Sequence, residues 1–367
     1  MKALLSLWSA MWLATASCLF LLAAVVPASH AVVVAGLYDV EFPVPDQSSK
    51  VRNAVFAKGL EEVLIRVSGN RSILEEVKPA AAATYVQRFS YAEQLESDAG
   101  KESAAGDYTL QVQYDAAKII SLLRNNAQPV WGEHRSEAVV WIAVRDGANR
   151  YVLKDSDQSL LKEAMVQSAS RRGLPVIWPA NDPRDQQQLS FMDLWATFAE
   201  PIKAASGRYS TGPAIVGRLS WTGSEWRSDW SLFIASSSHS WALRASDYGS
   251  MVSEAVDLAA DKIGQYYAVL ERTDTTASDL LVEVNNIDSL QSYRKIQNFL
   301  DNLAAVRQTS LVRLDEDVAV FRIDLRGDVN DFVKLVAIDK KLEPIRESIQ
   351  GGVVPQQQTM LRYSYRQ

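Results

Sequence analysis

The sequence predicts an α+β / α/β fold of three consecutive small mixed modules, the last of them ferredoxin-like. Three observations carry this reading. Stretches with strand period and stretches with helix period alternate along the chain, the pattern of layered α/β units rather than of a bundle or a sandwich. A continuous apolar run rich in β-branched residues, Val139–Val144, leads through a helix-period stretch to Pro175-Val176-Ile177-Trp178, as in two parallel strands joined by a helical crossover. Beyond a Thr/Asp/Ser-rich linker at 272–279 the order strand, helix, strand, strand, helix is the split βαβ order.

Residues 1–31 read as a secretory signal. Lys2 gives a positive start, the apolar run Ala3–Val26 follows, Pro27 breaks it, and Ser29 and Ala31 put small residues where a signal peptidase reads. The run approaches the ~20 residues that span a bilayer, so the alternative is an uncleaved inner-membrane anchor. Cleavage after Ala31 would leave 336 of the 367 residues in the periplasm with a net charge of −7, because Lys2 is the only charged residue lost. It would also remove Cys18, the single cysteine, so stability has to come from packed cores rather than disulfides.

The first module spans 32–136. Val32–Val44 reads as one strand, with Tyr38, Val40, Phe42 and Val44 alternating against polar residues. Asp46 or Ser48 can cap the following helix, whose stripe is Val51, Val55, Val63, Leu64 and Val67, and Ser68-Gly69-Asn70 suits a left-handed helix end. A second helix is expected from Pro79 to Gln94, a polar loop over 96–107, a strand at Tyr108–Tyr114 and a short helix around Ile119–Leu123.

The central module spans 137–271. After the inner strand Val139–Val144, Asp157 or Ser159 starts a helix carrying Leu160, Leu161, Ala164 and Met165; it ends on Arg171, Arg172 and Gly173. Leu189–Ser206 is expected to be helical, restarted by Pro201. A three-stranded meander follows at Ala214–Trp221, Trp226–Ala235 and Ser240–Arg244, turned at Thr222-Gly223-Ser224 and at a serine run, and a helix over Met251–Leu270 closes the module. The third module, 280–348, has a strand at Leu280–Val284 and a helix with Leu290, Tyr293, Ile296, Leu300 and Leu303. A hairpin of Leu311–Leu314 with Val318–Leu325 and a helix over Val329–Lys341 complete it. The tail, 349–367, adds at most one edge strand.

Composition excludes some partners. The chain carries a net charge of −6 and no basic run, so it lacks the electrostatic footprint that binds nucleic acid. A membrane is a partner only if the leader stays attached. Hydrophobic content of 47% fits folded modules rather than disorder.

No residue set carries a recognisable chemistry, so no catalytic, cofactor-binding or metal residues are assigned. His134 and His239 have no second ligand at metal spacing. Ser159-Leu160-Leu161-Lys162 has S-x-x-K spacing but lacks the S-D-N and K-T-G elements that accompany it, and Asp157 ahead of it favours a helix start. The carboxylates Asp315, Glu316 and Asp317, and Asp324, Asp328 and Asp331, match no calcium loop. Trp221, Trp226, Trp230 and Trp241 all fall in the meander, with Trp226 and Trp230 on one face. That face could stack on sugar rings or seat a partner, but Leu232 and Ile234 continue it, which favours a core.

Several strings resemble an exported proteobacterial family catalogued as domain of unknown function 2066. They are Leu37-Tyr38-Asp39-Val40, Asp46-Gln47-Ser48, Val67-Ser68-Gly69-Asn70-Arg71, Pro129-Val130-Trp131-Gly132, Leu194-Trp195-Ala196-Thr197-Phe198 and Arg208-Tyr209, spread over nearly the whole mature chain. The resemblance implies a Gram-negative exported protein and no particular reaction. The resulting expectation is a non-enzymatic envelope interaction or assembly-support protein whose partners are other envelope proteins. They would be held by sheet edges of the third module or by the tryptophan meander. A cell-wall glycan binder using Trp226 and Trp230, and a hydrolase assembled from distant residues, are the alternatives.

Overall fold

The computed structural model describes residues 32–79, 81–93, 108–272, 279–345 and 360–366. The expected leader, the loop at 96–107, and the linker residues 273–278 lie outside the described residues. What is described is mixed α/β: ten α-helices and four sheets.

In the first unit, β1 (Val32–Val33) and β2 (Asp39–Val44) are separate strands. The single expected strand is broken because Gly36 takes φ 69 in the intervening turn. Ser48 accepts from the Val51 N–H and starts α1 (Ser49–Ser68), which ends on left-handed Gly69. A short α2 (Ile73–Glu76) follows. The helix expected from Pro79 to Gln94 is instead β3 (Val86–Glu93), paired antiparallel with β4 (Tyr108–Tyr114). The residues explain it: Phe89 and Tyr91, two apart, share a face and make edge-on contacts with Phe56 and Tyr108, and aromatic residues suit a pleated surface. The sheet order is β2-β4-β3, and α3 (Ala116–Asn125) completes the unit.

The central unit is a three-layer sandwich. Its spine, β6 (Ala138–Asp146), is buried on both faces, as its uninterrupted apolar run predicts. A strand absent from the sequence expectation, β7 (Asn149–Val152), hairpins back on it. Then come α4 (Leu160–Arg171), capped by Ser159, and β8 (Val176–Ile177), parallel to β6. A short α5 (Pro183–Gln188) comes first, and the expected long helix at 189–206 is two short ones, α6 (Phe191–Ala196) and α7 (Ala199–Ser206). It breaks because Ser190 forms a new capping box and Thr197 turns left-handed at φ 57. The meander β9 (Ala214–Trp221), β10 (Trp226–Ile234) and β11 (Ser237–Ala245) extends the sheet in the order β11-β10-β9-β6-β7. Helix α8 (Tyr248–Tyr267) packs with α4 on one face, and α6 and α7 cover the other.

The third unit runs β12 (Asp279–Asn285), α9 (Leu290–Asp301), β13 (Val306–Asp315), β14 (Val318–Leu325), α10 (Val329–Ile338) and β15 (Leu342–Pro344). β14 lies between β12 and β13, as the split order requires. The sheet departs from a ferredoxin-like one at its other side. The tail forms β16 (Met360–Tyr365), an inner rather than an edge strand, parallel to β12 and flanked by β15. Tyr363 and Tyr365 bury their rings in the core, which draws the tail inward.

The first two units are joined through buried arginines. Arg135 in β5 (His134–Arg135) is 0% exposed and, among the described residues, ion-paired to no acid. It donates to the Arg66 and Trp131 carbonyls at 2.9 and 3.1 Å, to Gly132 at 3.0 Å, and to Arg172 and Gly173 at 3.1 and 2.8 Å. Arg66 O lies at the end of α1, and Arg172 and Gly173 at the end of α4, so one cation caps two helix C-termini. Burial pushes the guanidinium down to about 9, which leaves it protonated at neutral pH. Beside it, Glu254, Asp257 and Asp261 form one face of α8 and hold Arg71, Arg171 and Arg172.

Two substitutions test this packing. Arg135→Lys keeps a charge but loses the planar fork, and we expect a loss of about 3 kcal/mol in urea unfolding. In the sheet, a Cβ at Gly217 would sit 2.7 Å from the Trp230 ring and 2.8 Å from Ile142. Gly217→Ala should therefore cost about 1–3 kcal/mol by overpacking, read by the same measurement.

Candidate functional site

The structure first decides what the tryptophans do. Trp230 is 1% exposed, bonds Ser228 Oγ through its indole N–H at 2.8 Å, and joins Leu232 and Ile234 in the core under α8. Trp226 and Trp241 are partly buried against the same core, and Trp221 packs on Trp226 at 5.5 Å. A stacking face built on Trp226 and Trp230 together is not what the meander offers to solvent, because the continuation by Leu232 and Ile234 draws the stripe inward.

The other sequence candidates fall into structural roles. Ser159 Oγ accepts the Lys162 N–H at the start of α4, while Lys162 Nζ turns to the carbonyl and carboxylate of Asp155 and lies over Trp178. The hydroxyl and the amine thus have different partners. Asp328 and Asp331 form the capping box of α10, and Asp315 pairs with Arg313 at 3.0 Å. Among the described residues no three His, Cys, Asp or Glu side chains are grouped to hold a metal. His239 sits on β11 opposite Leu232.

A polar constellation that sequence reading missed lies at the start of α5. Arg208 grips Asp182 with both terminal nitrogens at 2.8 Å and reaches fully buried Asp185 at 2.8 Å; the Tyr209 hydroxyl donates to Asp185. The Arg208 guanidinium, with the helix-start N–H groups, holds the Asp182 carboxyl well below the usual carboxylate range. Burial, then the Asp185 carboxylate, pushes the Tyr209 phenol up to about 12. Acid, base and hydroxyl are used up on one another, which makes this a clamp for the α5 turn.

What remains is the sheet edges. An edge strand presents unpaired backbone donors and acceptors, and natural chains usually blunt it. β2 carries Pro43, β7 has four residues, and β15 has three and ends in Pro344. β11 shows solvent mostly serines, and β3 carries exposed Arg88 and Glu93 with one exposed aromatic ring, Phe89, which packs on Phe56 and Tyr91. β13 differs. It is ten residues long, and Leu311, Val312 and Leu314 are 41%, 49% and 50% exposed.

The register of β13 explains this exposure. Thr309 and Leu311 oppose Ile323 and Phe321, and Leu314 opposes Ala319, all core residues, so these side chains are on the helix side of the sheet. The strand lies one position beyond what α9 covers. Tyr293 of α9 stacks on Phe321 at 5.9 Å, and Leu290, one turn earlier on that helix, is 69% exposed. Ser310 and Arg313 oppose Arg322 and Val320 on the other face. A bulge between Leu311 and Arg313 twists the strand locally. Its start is anchored by Arg307 to Glu271 at 2.9 Å, and its tip by the Ile287 N–H to the Asp317 carbonyl at 2.8 Å. This arrangement can hold an extended segment by backbone hydrogen bonds, with exposed aliphatic side chains beside it.

The sequence pattern placed a hairpin here but began its first strand at Leu311, five residues late, because Arg307-Gln308-Thr309-Ser310 has no apolar alternation. The split strand order already puts the first hairpin strand at an edge; its length and its exposed aliphatic residues are what the structure adds.

Comparison with known families matches residues 31–132 to a domain of unknown function, DUF8605. This overturns the resemblance to domain of unknown function 2066, and the match covers the first unit rather than nearly the whole chain. The strings behind that resemblance include a helix cap at Ser48 and a left-handed helix end at Gly69, local solutions that recur in unrelated chains. No curated protein and no solved structure matches the chain.

Proposed function

We propose that this protein is an exported, non-enzymatic envelope component that holds a protein partner by strand addition along β13. The observation that carries the reading is the long edge of β13, which no strand covers among the described residues, with Leu311, Val312 and Leu314 open to solvent along it. In strand addition the backbone ladder supplies affinity and side chains at alternate positions supply selectivity, and β13 sets an unpaired ladder beside three exposed aliphatic side chains. Anchoring at Glu271 and at the hairpin tip keeps the edge extended, so little ordering cost falls on binding. The placement in the periplasm rests on the leader, on Lys2, the apolar run and Ala31. Among the described residues no helix is long and apolar enough to cross a membrane.

Two measurements check this. Amino-terminal sequencing of the chain recovered from the periplasmic fraction should begin at Val32; an intact Met1 in the soluble cell interior would refute export. A photoreactive side chain at Leu314 should crosslink in living cells to a discrete partner, and one at Ser238 on the β11 edge should not. Adding Leu311→Lys should cut the Leu314 crosslink at least about tenfold without changing the circular dichroism, since a charge at the centre of the ladder meets a desolvated strand.

A further inference from the structure

The segment 130–135 is the seam along which the third unit rests on the other two. Val130 exchanges two backbone hydrogen bonds with Val269, each 2.9 Å, and Val269 is itself part of the third unit's core. Gly132 lies against Ala304, where a Cβ would come within 3.1 Å. His134 meets the Phe299 ring of α9 edge-on, with centroids 5.9 Å apart. Arg135, next in sequence, is the buried cation that caps α1 and α4.

The polar atoms at this seam are incompletely matched. His134 Nδ1 is buried with no hydrogen-bond partner among the described residues. Asp339, at the end of α10, is 2% exposed; its Oδ2 takes Lys341 Nζ at 2.7 Å, and its Oδ1 is buried and unmatched. Lys341 Nζ also lies 5.3 Å from the Phe299 centroid. The charged groups that act on the imidazole are thus Asp339 and Lys341 from beyond α10, and Glu133 from its own strand. The charge of Asp339 is already balanced by the Lys341 ammonium at 2.7 Å, although its Oδ1 has no hydrogen-bond partner among the described residues.

We propose that this seam is an acid-released latch: protonating His134 adds a cation where the buried acid is already paired, and the third unit loosens from the first two. The closed seam favours the neutral ring, and burial holds the imidazole below its ordinary value, with Lys341 opposing the pull of Asp339. The sign follows from that direction. A histidine depressed in the closed state gives its full contribution above about pH 6.5 and loses it as pH falls below. Because the third unit carries β13, the latch would control how that edge is presented, but it stands without any partner.

Hydrogen exchange on the full chain tests it, with rates corrected for the intrinsic effect of pH. Protection of amides at 130–135 and 299–306 should fall at least about threefold between pH 7.5 and 5.0 relative to the β6 core. His134→Gln, which cannot take a proton, should abolish that fall. Lys341→Met should reverse it, because Asp339 is then free to pair with the imidazolium and acid tightens the seam. Protection that does not change with pH, a fall that persists in His134→Gln, or the same fall in Lys341→Met would each overturn the latch. If His134→Gln does not fold, the sign in Lys341→Met decides alone.

Discussion

A single guanidinium, Arg135, ties the ends of two helices that belong to different units. The carbonyls at the end of α1 and at the end of α4 have no intrahelical donors, and each helix end carries a partial negative charge. Arg135 supplies five donors in one plane and points them at both ends at once. Its charge is balanced by peptide dipoles, not by an acid, and its outer face is closed by the Trp131 ring 3.8 Å away. A lysine could not fill the place, since its three donors radiate from one atom. Remove the fork and two helix ends are left buried with open acceptors.

The surrounding contacts follow from that closure. Left-handed Gly69 ends α1 against Gly264 of α8, where a Cβ on Gly69 would come within 2.8 Å of the Gly264 Cα, so two backbones touch without side chains between them. This close approach brings the acidic face of α8 to Arg71 and Arg172. Arg66, meanwhile, reaches back to the carbonyls of Gly36, Leu37 and Asp39 and stitches the first turn of the chain to the same place. The third unit is held differently, by Val269, by the seam at His134 and by Glu271, which gathers Arg124, Arg307 and Arg326. Its attachment rests on buried valines, a ring contact and one shared carboxylate rather than on a cluster of arginines and acids. The third unit is also the one with the open strand.

Much of the fold was legible where one residue type had one physical solution. Ser48, Ser159 and the glycines after α1 and α4 mark helix ends because they alone satisfy or bend the backbone there. Val139–Val144 read as an inner strand because only a strand covered on both faces tolerates six apolar residues in a row. The failures came where local pattern and tertiary context disagree. Val86–Glu93 has helix-compatible spacing, and only pairing with β4 makes it a strand. Phe191–Ala196 and Ala199–Ser206 could have been one helix, but Thr197 breaks it so that both pieces lie on the sheet.

The amino acids alone determined the class of fold, an apolar run at the amino end, a single cysteine and a net charge of −6. These are sums and periodicities, and they survive without coordinates. The tertiary structure decided how long and how exposed the β13 edge is, that the tail enters the middle of a sheet, and that Trp230 faces inward. It also decided that Arg135, paired with backbone carbonyls rather than with Glu133 or Glu137 near it in the sequence, serves as the joint of two units. The reason is that edges, burial and shared caps are relations between segments far apart in the chain, and each residue's own chemistry is compatible with either outcome until its neighbours arrive.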